Sequence, residues 1–127
     1  MESMKITQSF DDISTWFFST LENLLQNQKT VIVGLAGGTS YDHWYRHLLE
    51  NKKSKLEIYA ARIHWCVTDE RVNCSLKERN DEHIWEVFLG PLFQKYSLPE
   101  ENFVRPAMES DGIEYSLRLG NMDIAFF

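Results

Sequence analysis

The sequence predicts an α/β fold, with a mostly parallel sheet and flanking helices. Two observations carry this. Three short apolar runs, at 31–36, 62–67 and 122–127, lack regular polar–apolar alternation, as strands buried on both faces do. The segments between them carry apolar residues at helical spacing. Strands and helices that alternate this way build a layered fold around parallel strands. The 127 residues make one domain's worth of chain, so 1–127 reads as a single α/β domain.

The elements follow in order. Ser9 can cap a helix whose first turn carries Asp11 and Asp12, and Ile13, Phe17, Leu21, Leu24 and Leu25 share one face. Val31–Ala36 is the first strand. Gly37-Gly38-Thr39-Ser40 leads into a helix with Tyr41, Trp44, Tyr45, Leu48 and Leu49 at helical spacing. Asn51–Lys55 reads as a polar, basic loop. Arg62–Val67 is the second strand, with Thr68-Asp69-Glu70-Arg71 just past its end. A helix is expected from about Asp81 to Lys95, with Ile84, Val87, Phe88 and Phe93 inward and Gly90-Pro91 kinking or splitting it. Leu98–Glu101 is a turn or short helix start, Gly112–Leu119 a short helix, and Met122–Phe127 the third strand.

Composition narrows the function classes. Hydrophobic residues are 43% and charged residues 25%, which fits a globular domain rather than a disordered chain. Lys plus Arg number 13 against 19 Asp plus Glu, a net charge of -6, so nucleic acid and anionic membranes are not the expected partners. A small anionic ligand remains compatible, because a phosphate needs only a few local donors. Cys66 and Cys74 form no disulfide framework and no zinc spacing, and they read as reduced thiols. No signal peptide or membrane span is apparent, and a cytoplasmic location is expected.

Three constellations can carry chemistry. Gly37, Gly38, Thr39 and Ser40 stand between a buried strand and a helix. Glycines let a backbone approach an anion, and the helix offers N–H groups and its positive dipole end. The same spacing also suits a tight turn with Thr39 or Ser40 as N-cap. No Lys follows the glycines, and the order is not that of a dinucleotide fingerprint. At the end of the next strand, Asp69 can act as base or orient water, and Arg71 can fork onto a phosphate. The alternative there is a solvated cluster of Asp69, Glu70 and Arg71. His43 and His47 are four apart, but Trp44 stands where the zinc-protease pattern needs Glu, so no metal is expected. His64 and His83 are isolated, and Trp65 and Trp85 read as packing residues.

These motifs resemble a known family. Val33-Gly34-Leu35-Ala36-Gly37-Gly38-Thr39-Ser40 is similar to the "LSGGST" phosphate loop of 6-phosphogluconolactonases and glucosamine-6-phosphate deaminases. His64–Arg71 resembles the "hhfwvDER" strand of the lactonases, and Asn80 the Asn of the "SN" pair that follows it. Pro99–Val104 resembles the "ip.env" turn, Glu114-Tyr115 the "a..Ye..l" helix, and Met122–Phe127 the "fDlvlLG" strand. Asp-Glu-Arg is the lactonase form; deaminases usually show Asp-Glu-Tyr there. Ala36 stands where the family commonly has Ser, Tyr41 where it has Pro, and Asn73-Cys74 where it has "VP".

The resemblance implies a Rossmann-like sheet of the sugar-phosphate isomerase/lactonase type. It also implies cofactor-free hydrolysis of 6-phosphogluconolactone, a step of the oxidative pentose phosphate pathway. Gly37, Gly38, Thr39, Ser40 and Arg71 would hold the phosphate, Asp69 would orient water, and Glu70 and Asn80 would lie nearby. A deaminase or isomerase of an amino-sugar phosphate, and a non-catalytic phosphosugar-binding fragment, are the alternatives. The family continues with a G-x-G-x-D-G-H segment whose His activates water, and the present sequence stops before it. The chain therefore reads as truncated and is expected to hydrolyse the lactone little above the spontaneous rate. Its third strand is expected to lack cover, with Phe126 and Phe127 facing water or a second chain, and so to drive self-association.

Overall fold

The computed structural model describes residues 2–4, 9–68, 80–104 and 122–126. Helix α1 spans Phe10–Leu25. Ser9 caps it: the Asp12 N–H donates to Ser9 Oγ at 3.2 Å, and Asp11 and Asp12 occupy the first turn. Its Ile13, Phe17 and Leu21 face is fully buried. At the other end the Arg62 guanidinium donates to the carbonyls of Leu25, Gln28 and Lys29 at 3.1–3.4 Å. Those carbonyls lack intrahelical donors, and a cation is favoured beside them.

Strands β1 (Glu2–Met4), β2 (Val31–Leu35), β3 (Ile63–Val67) and β4 (Ile124–Phe126) form one four-stranded sheet in the order β1-β4-β2-β3. Every pairing is parallel, with Val33 opposite both Trp65 of β3 and Ile124 of β4. The expected parallel α/β sheet is thus present, and β2 and β3 are neighbours as the apolar runs require. Asp123 sets the β4 register from just outside the strand. Its N–H donates to Ile32 O at 2.8 Å and its Oδ2 accepts from the Ile32 N–H at 2.8 Å.

Helix α2 (Thr39–Asn51) and helix α3 (Lys53–Tyr59) follow β2. The loop expected at Asn51–Lys55 is therefore a break of one residue, Lys52. Leu56 draws α3 into the core, being fully buried, and Lys55 Nζ meets Glu22 Oε1 of α1 at 2.6 Å. A three-residue 3-10 turn, Ala60–Arg62, then enters β3.

The helix expected over about Asp81–Lys95 is split into α4 (Asn80–Ile84), a π-turn (Trp85–Leu89) and α5 (Gly90–Tyr96). Pro91 explains the split. It has no N–H, and its ring cannot tolerate a regular turn behind it, so the Gly90 N–H bonds five residues back to Trp85 O. Past α5, Glu100–Asn102 forms a 3-10 turn and Phe103 bridges to Trp65, with the Val104 N–H on Trp65 O at 2.8 Å. Trp65 is fully buried, and Trp85 stacks on Phe103 at 5.7 Å. The helix expected at Gly112–Leu119 lies outside the described residues.

The expected exposure of the third strand is corrected by the sheet order. β4 lies between β1 and β2, and Phe126 is fully buried, its ring 4.9 Å from Trp44 and 5.8 Å from Phe17. Phe126 thus offers no apolar surface to a second chain; Phe127 lies outside the described residues. The larger core cluster joins α1, α2 and the π-turn to one sheet face. Cys66, Met122 and Ala125 form a smaller cluster with Ile32 and Val104. No helix among the described residues is long and apolar enough to cross a membrane.

Burial pushes the Cys66 thiol up to about 12, because the thiolate would lose its hydration. In a Cys74→Ser chain, Cys66 should resist iodoacetamide at neutral pH and react fully only after denaturation. Mass spectrometry reads the adduct; rapid native labelling would show that this thiol is open to solvent.

Candidate functional site

The site begins where β2 ends. Parallel strands leave their carboxyl ends along one edge of the sheet, and α/β proteins present ligand-facing loops there. Ala36, Gly37 and Gly38 carry the chain from Leu35 into α2. The buried Tyr45 hydroxyl donates to Ala36 O and fixes the start of the turn. Burial first, then the neighbouring Tyr41 and Asp42, holds that hydroxyl well above the ordinary tyrosine range, so it stays protonated.

Gly38 is the N-cap of α2, with φ 126° and ψ 158°. This region of the map is essentially closed to residues with a Cβ. The N-cap is Gly38, which has no side chain to cap the helix, so neither Thr39 nor Ser40 is the N-cap that a plain tight turn would use. Both are exposed in the first turn, and the Asp42 N–H donates to Gly38 O at 3.0 Å. A glycine turn, an uncapped helix start and two hydroxyls thus lie together on the surface.

Replacing Gly38 by Ala should cost about 1–3 kcal/mol, the usual range for forcing a strained backbone region. The space around a new Cβ is open, so this cost is conformational and not steric. Chemical denaturation measures it; an unchanged midpoint would mean the turn does not hold this φ.

Thr68 joins the strand ends beside the turn. Its N–H donates to Leu35 O at 2.9 Å and its Oγ1 to Phe126 O at 2.7 Å, which links β2, β3 and β4. Asp69, Glu70 and Arg71 come next in the chain and lie outside the described residues. Asn80 opens α4, its side chain likewise outside them. The structure therefore brings Gly37, Gly38, Thr39 and Ser40 together and leaves the other site residues unplaced.

The histidines separate in space. His47 Nε2 is 3.3 Å from Asp11 Oδ1, and its ring lies against Phe10. His43 is exposed, and His64 is half-buried on β3. Among the described residues no three His, Cys, Asp or Glu converge to hold a metal ion. His83 differs: its Nε2 is 2.7 Å from Oδ2 of Asp42, one turn into α2. The two residues are 41 apart on separate helices, so no sequence period connects them. The usable signal was Asp42 itself, an acid directly behind the glycine turn.

The fold and the site define a parallel-sheet α/β protein with a glycine turn into an uncapped helix at its carboxyl edge. The chain belongs to the family of glucosamine-6-phosphate isomerases/6-phosphogluconolactonase, whose family model matches residues 6–121. Two solved structures share the fold. A 6-phosphogluconolactonase from Thermotoga maritima is 23% identical over 98% of this chain and 57% of its own, with a TM-score of 0.69. A monomeric glucosamine-6-phosphate deaminase is 19% identical over 98% of this chain and 54% of its own, with a TM-score of 0.62. The chain thus spans little more than half the length of either. No curated protein matches it by sequence.

Proposed function

We propose that the turn at 36–40 takes the phosphate of a six-carbon sugar phosphate, and that the reaction served is hydrolysis of 6-phosphogluconolactone. The observation that carries this is the glycine turn opening into α2, whose N-cap, Gly38, has no side chain to occupy the free N–H groups. Its N–H groups and the helix dipole favour a dianion, and the Thr39 and Ser40 hydroxyls add donors. Arg71 reaches the same phosphate, and Asp69 orients water. Water attacks the lactone carbonyl, the ring C–O bond breaks, and the products are a carboxylic acid and a hydroxyl. No metal or cofactor is needed for that balance.

Isomerisation or deamination of an amino-sugar phosphate is the second reading, with Asp69 as the proton-abstracting base on the same loop. The sequence Asp69-Glu70-Arg71 favours the lactone, since Arg stands where the family's deaminases usually carry Tyr.

Calorimetry with 6-phosphogluconate and with glucosamine 6-phosphate, alongside lactone hydrolysis followed by proton release, tests this reading. Arg71→Ala should weaken 6-phosphogluconate binding by about 1–3 kcal/mol, as loss of a charged hydrogen bond does. Binding of 6-phosphogluconate with little turnover is the outcome expected for this sequence alone, and preferential binding of glucosamine 6-phosphate would assign the second reading. Binding of neither sugar phosphate would overturn the assignment.

A further inference from the structure

We infer that Asp42 and His83 form the sugar-reading half of this site, with His83 accepting a hydroxyl of the sugar phosphate whose phosphate lies on the glycine turn. This rests on the sugar-phosphate reading and adds a specificity residue that the loop motif does not contain. Asp42 is bound to the turn through its N–H on Gly38 O at 3.0 Å. His83 comes from α4, and its Nε2 lies 2.7 Å from Asp42 Oδ2.

The chemistry of the pair follows from its donors and acceptors. A carboxylate only accepts, so Nε2 carries a proton, and whenever the ring is neutral Nδ1 is left as an acceptor. Asp42 is the enclosed partner, with its side chain 17% exposed, whereas His83 is 45% exposed and is the reachable end. The other Asp42 oxygen, Oδ1, is buried with no hydrogen-bond partner among the described residues. Among the described residues His83 is the group that answers this carboxylate, which holds the tautomer and the ring orientation.

A sugar phosphate is acceptor-rich at its phosphate and donor-rich along its hydroxyls. The turn offers donors and the pair offers an acceptor, one helical turn apart. The negative carboxylate behind the ring also disfavours a phosphate lodged at His83, so the pair fixes which end of the ligand enters the turn.

The test is calorimetry on the full chain in mildly alkaline buffer, with inorganic phosphate and 6-phosphogluconate as probes. His83→Phe keeps a ring and removes the acceptor. It should weaken 6-phosphogluconate about tenfold, the scale of one hydrogen bond, and leave inorganic phosphate within about twofold. His83→Asn, whose Oδ1 stands near the place of Nδ1, should recover most of that loss. Unchanged 6-phosphogluconate affinity in His83→Phe, or equal loss for both probes, would overturn the inference while the phosphate site stands. A native chain that binds neither probe would remove the sugar-phosphate reading itself, and this inference with it.

Discussion

A Phe126→Ala chain is expected to lose about 3–5 kcal/mol of folding stability, the range for deleting a buried phenyl ring. The side chain is fully buried on an interior strand. Its ring meets four others, at centroid distances of 6.0 Å to Trp16, 5.8 Å to Phe17, 6.2 Å to Tyr41 and 4.9 Å to Trp44. Those rings come from α1 and α2, which are held by further contacts and cannot all collapse into the space left behind. Domains of this size are stable by about 5–15 kcal/mol, so the substitution removes a large share. Urea denaturation followed by tryptophan fluorescence reads the change directly. A loss under about 1 kcal/mol would mean that β4 does not occupy the sheet interior.

Gly34→Val should be the second severe change. A Cβ on Gly34 would lie 2.1 Å from Met122 Sδ and 2.7 Å from Thr68 Cγ2. The thioether can swing aside, but Met122 adjoins Asp123, which is bonded to Ile32 at two points. The Thr68 methyl has less freedom, because both the N–H and the Oγ1 of that residue are bonded across the strand ends. Gly34 also pairs with Cys66 on one side and Ala125 on the other, a row of small side chains in the middle of the sheet. Overpacking of this kind costs about 1–3 kcal/mol, and valine, which adds three carbons, lies at the upper end. The same denaturation assay measures it. The response should be graded, with Gly34→Ala milder than Gly34→Val; equal stability for all three chains would show that the row has room to spare.

The parts of the fold that local sequence dictates were legible in it. Val31–Leu35 and Ile63–Val67 are apolar because both faces of a central parallel strand are covered, and that leaves a run without alternation. Ser9 announces α1 by accepting from one of its free N–H donors, and the two aspartates after it suit the positive end of the helix dipole. β1 was not legible: Glu2-Ser3-Met4 has no strand-forming pattern and is a strand because its backbone pairs with β4. α3 was missed because Leu56 alone is buried in it, too little for a helical stripe to be seen. Pro91 signalled a break but not its form.

The candidate site was legible in the same uneven way. A glycine pair between a strand and a helix predicts the turn. Which residue caps the helix is decided by the Gly38 backbone, a choice that Thr39 and Ser40 obscured. The contact between Asp42 and His83 arises from the packing of α2 against the α4 region, which no local pattern encodes.

The strand order also bears on how the chain acquires its shape. β2 and β3 are joined by one crossover through α2 and α3, whereas Ile32 and Asp123 meet across 91 residues. Closing long loops costs more entropy, so near contacts are made first. The contacts from α1 to β3, glycine turn included, are therefore expected to form first, while β4 must then find the free side of β2. Among the described strands β1 has no partner until β4 is seated. In that interval the bare edge of β2 is a template for the wrong strand, including one from another copy. Asp123 gives the correct strand two anchoring bonds at the point of entry, so the residue that sets the register also favours β4 over a strand that lacks such an acid.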